Sequence, residues 1–255
     1  MTSSPFDDRP SLVLAPGMLS DAAVWLPQAA AFGGDMDVRV AHYGEARSLT
    51  AMAEALLAQT PGRFALAGHS MGGRVALEAV RLAPERITGL CLISSDSQPK
   101  AGGDAGEAET RARYGLVALA REQGMAALAE RFVPTLIHSD RLEDPVLTKA
   151  VRTMILRQDA DILERQVEAG EGRPDHAEVL RALKVPALLI CGAEDGFGRA
   201  PLQAAMTALL SDAPTLLIDR CGHLPALEAP ETVSWAMRDW LAEVNRETLR
   251  AEAAI

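Results

Sequence analysis

Apolar residues fall into six short, near-continuous runs: Leu12 to Ala15, Val38 to Ala41, Phe64 to Ala67, Gly89 to Ile93, Ala187 to Cys191 and Thr215 to Ile218. None alternates cleanly with polar residues, as expected of strands buried on both faces in a helix-covered parallel sheet. Leu49 to Ala58, Met71 to Ala83, Pro201 to Leu210 and Thr232 to Val244 carry apolar positions at spacings of three and four and predict helices. Strand alternating with helix predicts a doubly wound α/β domain, with a mostly or wholly parallel sheet of about six core strands.

One interval breaks the rhythm. Between 97 and 183 no strand pattern occurs. Ala, Leu, Arg and Glu dominate helical stretches at Glu107 to Glu122, Met125 to Arg131, Pro145 to Leu156 and Ile162 to Glu168. A crossover needs only about a dozen residues beyond its strands, so 97–183 is predicted as a helical cap inserted between the fourth and fifth strands. The remainder, 1–96 and 184–255, then forms the sheet domain. Apolar residues of the cap read first as packing, with Tyr114, Met125, Phe132, Met154 and Ile155 as candidates to line a substrate pocket. Its Arg and Glu positions read as a solvated face. Trp25, Trp235 and Trp240 read as core.

Composition narrows the class of partner. With 48% apolar and 24% charged residues in 255, the chain can bury a full core, which excludes disordered, collagen-like and coiled-coil classes. Asp and Glu outnumber Lys and Arg 35 to 25, and the net charge of −10 repels phosphate backbones and anionic lipids. The expected partner is a small molecule, not nucleic acid or a membrane. Cys91, Cys191 and Cys221 are too few and too scattered for a disulfide framework, and no secretory or membrane-spanning run is legible, so a reducing, cytoplasmic setting is expected.

The sharpest chemical signal is Gly68-His69-Ser70-Met71-Gly72, followed by Gly73. A G-x-S-x-G match alone is weak, but here it joins a predicted strand to a predicted helix, placing Ser70 on the sharp bend that this motif serves. Glycines at 68 and 72 let strand and helix approach closely, and the helix amino terminus directs positive partial charge at the serine. A serine hydroxyl needs a base, and the base needs an acid to orient it. His223 follows the last strand, between Gly222 and Pro225; His42, His69, His138 and His176 lack such a setting. For the acid, Asp195 in Gly192-Ala193-Glu194-Asp195-Gly196 is preferred to Glu194, and Asp96 after the fourth strand is the second candidate. Cys221 would be an alternative nucleophile, disfavoured because residues two apart on a loop seldom face one another. Neither metal-ligand spacing nor a phosphate-binding loop occurs, so no cofactor is expected.

Taken together, these segments resemble the α/β-hydrolase superfamily, in its esterase-like members, over nearly the whole chain outside the cap. The carriers are the Gly68 to Gly72 bend, the Gly192 to Asp195 turn and Gly222-His223-Leu224-Pro225-Ala226-Leu227-Glu228-Ala229-Pro230. Leu12 to Met18, with Trp25 and Gln28 after it, looks like the segment that helps form the oxyanion hole. By that resemblance the backbone N–H groups of Met18 and Met71 would bind the developing oxyanion. Many relatives have His-Gly where this chain has Pro16-Gly17 and glycine where it has Leu19, so the supporting hydrogen bonds of this loop differ. The antiparallel hairpin that opens many members is expected to be missing.

The implied activity is hydrolysis of a small or medium-sized uncharged carboxylic ester, lactone or thioester through an acyl-enzyme on Ser70, with Phe197 beside the catalytic rim. A C–C bond hydrolase, hydroxynitrile lyase or perhydrolase with the same three residues, or a ligand receptor on the same fold, are the alternatives.

Overall fold

The computed structural model describes residues 9–197, 200–210 and 213–253. Its strands are β1 (Ser11–Ala15), β2 (Asp37–Val40), β3 (Phe64–His69), β4 (Ile87–Ile93), β5 (Ala187–Gly192) and β6 (Thr215–Ile218). Its α-helices are α1 (Leu26–Phe32), α2 (Leu49–Gln59), α3 (Met71–Leu82), α4 (Gly103–Leu136), α5 (Pro145–Leu156), α6 (Ala160–Glu171), α7 (Ala177–Ala182), α8 (Ala200–Thr207), α9 (Pro225–Glu228) and α10 (Pro230–Ala253).

All six strands pair in parallel, in the order β2-β1-β3-β4-β5-β6. Pleating explains the continuous apolar runs. Leu12, Leu14, Ala65, Ala67, Cys91, Ile93, Leu188 and Ile190 share one core with Phe32 of α1 and the inner face of α10, while Val13, Ala15, Leu66, Leu90, Leu92 and Leu189 share the other with α2 and α3. Alternate side chains enter opposite cores, so both must be apolar. The strand order reverses between β1 and β3, and in open α/β sheets a crevice forms at that point beyond the carboxyl ends of the strands.

Two differences from the sequence reading have local causes. Helix α1 is short and buries only Gln28 and Phe32, too few positions to show a period. Trp235 is 67% exposed: α10 buries the stripe Val233, Met237, Trp240, Leu241 and Val244, and two residues on from Val233 a helix faces the other way. Helix α4 breaks at Gly124, whose φ of 84° and ψ of 166° are non-helical, between the stretches Glu107 to Glu122 and Met125 to Arg131 predicted from sequence. Among the described residues no helix is long and apolar enough to cross a membrane.

Helices α4 to α7 lie between β4 and β5, and a buried polar cluster ties their return to the sheet. Glu78 of α3 accepts hydrogen bonds from Thr50 of α2 (2.5 Å), Arg81 (2.9 Å) and His176 Nε2 (2.9 Å), and His176 N–H donates to Ser97 O (2.9 Å). Burial alone would raise the Glu78 pKa; the bonds from Arg81, Thr50 and His176 outweigh it and bring the value from 4.5 to about 2. A carboxyl depressed by folding stabilises fully above its unfolded value and loses that contribution as pH falls through its folded one. Thermal midpoints should therefore fall as pH drops from about 4.5 towards 2. Glu78→Gln should flatten that acid limb and cost about 3 kcal/mol near neutrality, because it breaks a buried ionic cluster. Parallel midpoint curves for the two proteins would contradict this.

Candidate active site

Ser70 occupies the bend between β3 and α3 with φ 53° and ψ −120°, a region where a residue with a side chain is strained by about 1 to 3 kcal/mol. The surroundings hold it there. Its N–H donates to Ile93 O (2.9 Å), and its carbonyl accepts from Ser95 Oγ (2.8 Å) and Gly73 N–H (3.0 Å). Gly72 is required by space: a Cβ there would strike the Ala15 carbonyl oxygen and lie 2.6 Å from Pro16 O.

His223 reaches this bend from the loop after β6. Its Nε2 lies 2.9 Å from Ser70 Oγ, and its Nδ1 lies 2.9 Å from both carboxyl oxygens of Asp195. A carboxylate only accepts, so Nδ1 carries the proton and Nε2 is free to accept from the serine hydroxyl. Both Asp195 and His223 are buried. Asp195 also accepts from Phe197 N–H (2.7 Å), and the Cys191 thiol lies 3.7 Å from its Oδ2. Burial, with the nearby Asp195 charge, pushes that thiol up to about 12, so it stays protonated and donates.

The competing candidates have other partners. Asp96 pairs with Arg74 (2.5 Å), and Glu194 accepts from Cys221 N–H (3.2 Å). Cys221 is buried, with Sγ directed to Gly222 O at 3.8 Å and its thiol raised by burial.

Two residues that sequence reasoning passed over hold His223 in place. His69 Nε2 donates to the His223 carbonyl (2.8 Å), and burial and the adjacent His223 lower its pKa from 6.5 to about 3, so it is neutral. Glu228, itself buried, accepts from Gly222 N–H (3.0 Å), Leu224 N–H (3.2 Å) and His138 N–H (2.9 Å), bracketing His223 on both sides. A lone acid in the apolar stretch Leu224 to Ala229 was the available signal, since a buried carboxyl must find donors.

The loop after β1 runs beside the serine: a Cβ on Gly17 would lie 3.0 Å from Ser70 Cβ. Met18 N–H has no hydrogen-bond partner among the described residues, and Met71 is the first residue of α3, where an N–H has no partner within the helix. Leu19, at the position where relatives have glycine, adopts φ 56°, a left-handed conformation that favours glycine. Its N–H donates to Gln166 Oε1 of α6 (2.9 Å), and Tyr43 OH donates to Pro16 O (2.9 Å). Gln28 Nε2, within 3.4 Å of Ala226 O and Pro230 O, ties α1 to the segment that follows His223.

A cleft opens over Ser70 and His223, lined in part by Met18, Met71, Phe132, Leu136 and Phe197. Phe197 packs on the imidazole, ring centres 5.0 Å apart, and on Phe132 at 6.1 Å. Tyr114 and Met154 are not part of this lining. Tyr114 is exposed on α4, one residue and about 100° of helix from Arg113, which does line the cleft, and Met154 is packed in the core. The charged positions of 97–183 are likewise not all solvated: Glu109, Arg113, Glu171 and Arg173 form one wall of the cleft.

A six-stranded parallel sheet with a serine on a β-to-α bend, hydrogen-bonded to an imidazole that is itself bonded to a carboxyl, defines the α/β-hydrolase class of architecture. Sequence comparison agrees. The model of the alpha/beta hydrolase family matches residues 2–234, and the chain belongs to that family. It is 32% identical over 182 residues to the dihydrolipoyllysine-residue acetyltransferase component of an acetoin cleaving system from Pseudomonas putida, covering 69% of this chain and only 45% of that protein. It is 23% identical to a pimeloyl-[acyl-carrier protein] methyl ester esterase from Neisseria meningitidis, covering 87% of this chain and 85% of that one. Among solved structures, a thermophilic esterase from Thermogutta terrifontis superposes with a TM-score of 0.82 at 27% identity, covering 92% of this chain and 90% of that one.

Proposed function

We propose that this protein hydrolyses a carboxylic ester, lactone or thioester through an acyl-enzyme on Ser70. The observation that carries the reading is the unbroken hydrogen-bonded chain from Asp195 through His223 to Ser70, with 2.9 Å at each link. His223 Nε2 accepts the Ser70 proton as Oγ attacks the acyl carbon, Asp195 holds the imidazole and stabilises its cation, and the proton passes to the leaving alcohol or thiol. The Met18 and Met71 N–H groups bind the tetrahedral oxygen, each such donor lowering the barrier by about 3 to 4 kcal/mol. Water, activated by the same imidazole, then releases the acid. In this reading 97–183 acts as a cap that closes the cleft from above. A cytoplasmic location is part of this proposal, supported by the small number and wide spacing of the cysteines. Ester-hydrolysing relatives such as the Neisseria and Thermogutta proteins support the choice of bond.

The test is a panel of p-nitrophenyl esters, lactones and thioesters of increasing acyl length, with free acid quantified. Turnover of at least one class, preceded by a burst of leaving group stoichiometric with enzyme whenever deacylation is the slower step, is the expected result. Tight, stoichiometric binding with no ester consumed would overturn the reading and favour a receptor.

Glu228 is a positioning residue in this account. Glu228→Ala removes the acceptor of three N–H groups around His223, those of Gly222 and Leu224 buried and that of His138 partly buried, and should lower kcat up to about 100-fold by misplacing the base, with less change in KM. Glu228→Gln, which keeps one acceptor oxygen, should recover part of the loss. Equal kcat in Glu228→Ala and the parent would refute the role.

A further inference from the structure

Three arginines face the cleft: Arg74 from α3, Arg113 from α4, and Arg173 beyond α6. Two have carboxylate partners, Arg74 with Asp96 at 2.5 Å and Arg173 with Glu109 at 2.6 Å. The remaining acid of that wall, Glu171, is held by Lys100 at 2.5 Å. Arg113 forms no ion pair among the described residues; its neighbours are Met18 Sδ at 3.9 Å and the Phe197 ring, 5.8 Å from the guanidinium carbon to the ring centre. Pair by pair the wall neutralises itself and leaves one cation over, in a chain whose net charge is −10.

That leftover charge is costly where it sits. Burial, and the nearby Arg74 and Arg173 charges, lower the Arg113 pKa, with Glu109 and Glu171 opposing them. A partly desolvated guanidinium with no partner gains most when an anion arrives. Arg173 adds a second donor: its side chain is 8% exposed, and its Nε is buried with no hydrogen-bond partner. Phe197 fixes the spacing. Arg113 packs on its ring, and the same ring lies 5.0 Å from that of His223. One aromatic ring therefore separates the guanidinium from the imidazole, so an anion seated there lies a short chain away from an acyl carbon at Ser70.

We propose that the substrate ester carries a carboxylate on a short chain, and that Arg113 binds it. One uncompensated positive charge matches a carboxylate, whereas a phosphate monoester, at roughly −1.5 to −2 near neutrality, would leave charge unbalanced. The planar guanidinium presents paired donors suited to a carboxylate. This inference rests on ester hydrolysis at Ser70 and specifies what that ester must bear, in place of the wholly uncharged substrate expected from sequence.

The experiment compares kcat/KM for monomethyl succinate, glutarate and adipate with that for methyl esters of unbranched fatty acids of matched length. The parent enzyme should prefer at least one acid ester by about tenfold or more, and in Arg113→Gln that ratio should shrink towards unity, with Arg113→Lys intermediate. A parent that hydrolyses the neutral esters equally well or better overturns the proposal, as does an Arg113→Gln variant that keeps the preference. A parent without the preference overturns the proposal even if Arg113→Gln does not fold, and Arg113→Lys then carries the comparison that assigns the preference to Arg113. Fluorophosphonate labelling separates the two levels. If Ser70 is labelled and neutral esters turn over without any acid preference, the subsite alone fails. If no ester turns over and Ser70 is unlabelled, the hydrolase reading fails with it.

Discussion

Ser70→Ala should lower kcat for ester hydrolysis about 10⁶-fold, the scale found when the nucleophile of a serine, histidine and aspartate set is removed, while leaving the fold unchanged. The expectation of an intact fold is specific. Among the described residues the Ser70 side chain hydrogen-bonds only to His223 Nε2, at 2.9 Å, whereas the bonds that hold the bend come from its backbone to Ile93, Gly73 and Ser95. Alanine keeps all of these, so stability should change by no more than about 0.5 kcal/mol. Initial rates and circular dichroism on the same preparation check both halves. Retention of more than about 1% of parental kcat would mean that the nucleophile lies elsewhere, because the oxyanion donors alone leave only about 10³ to 10⁴-fold acceleration over water.

The second large effect concerns Gly72. Its missing Cβ would point into the backbone at the end of β1, striking Ala15 O with Pro16 O at 2.6 Å. Backbone atoms cannot rotate aside as the end of a side chain can, so Gly72→Ala must push α3 away from β1. Overpacking in a tight core costs about 1 to 3 kcal/mol and occasionally more, and with backbone on the receiving side about 3 kcal/mol or more is expected. The separation of α3 from β1 also sets the distance between Met71 and Met18, so under the proposed mechanism the folded fraction should lose at least about 100-fold in kcat as the two proposed donors part. Gly115→Ala is the contrast. That glycine lies within α4 with open space around its Cβ position, and the substitution should stabilise by about 0.5 to 1 kcal/mol. Equal midpoints for the two variants would show that close approach at Gly72 is not what requires glycine.

What was legible in the sequence depended on how many constraints each residue had to meet. The six strands showed because burial on both faces leaves no freedom for polar residues. Ser70, Asp195 and His223 showed because each follows a strand end and has glycine within two residues of it, and the structure brings all three together. The structure has Phe132 and Phe197 in the cleft lining and Tyr114 and Met154 outside it; Phe197 follows from its place behind Asp195, whereas the other three rest on residue type, and type does not fix helical phase. Glu109 and Arg113, four apart on α4, look in sequence like an ordinary surface pair; only the tertiary packing of α4, against α5 and α6, turns that face into the wall of a cleft. Helix α1 escaped notice because seven residues are too few to display a period. Leu19 was visible as a departure from relatives, but its left-handed backbone and its bond to Gln166, 147 residues away in sequence, depend on tertiary structure. Glu228 is similar, since its three N–H partners come from two separate loops.

The central claim is that Ser70 is a nucleophile activated by His223. The most direct measurement is peptide mass spectrometry after treatment with a fluorophosphonate, which captures an activated serine without requiring knowledge of the substrate. The account predicts one adduct per chain, on Ser70, absent from Ser70→Ala and formed far more slowly in His223→Ala. An unmodified Ser70, or an adduct that persists in Ser70→Ala, would contradict it.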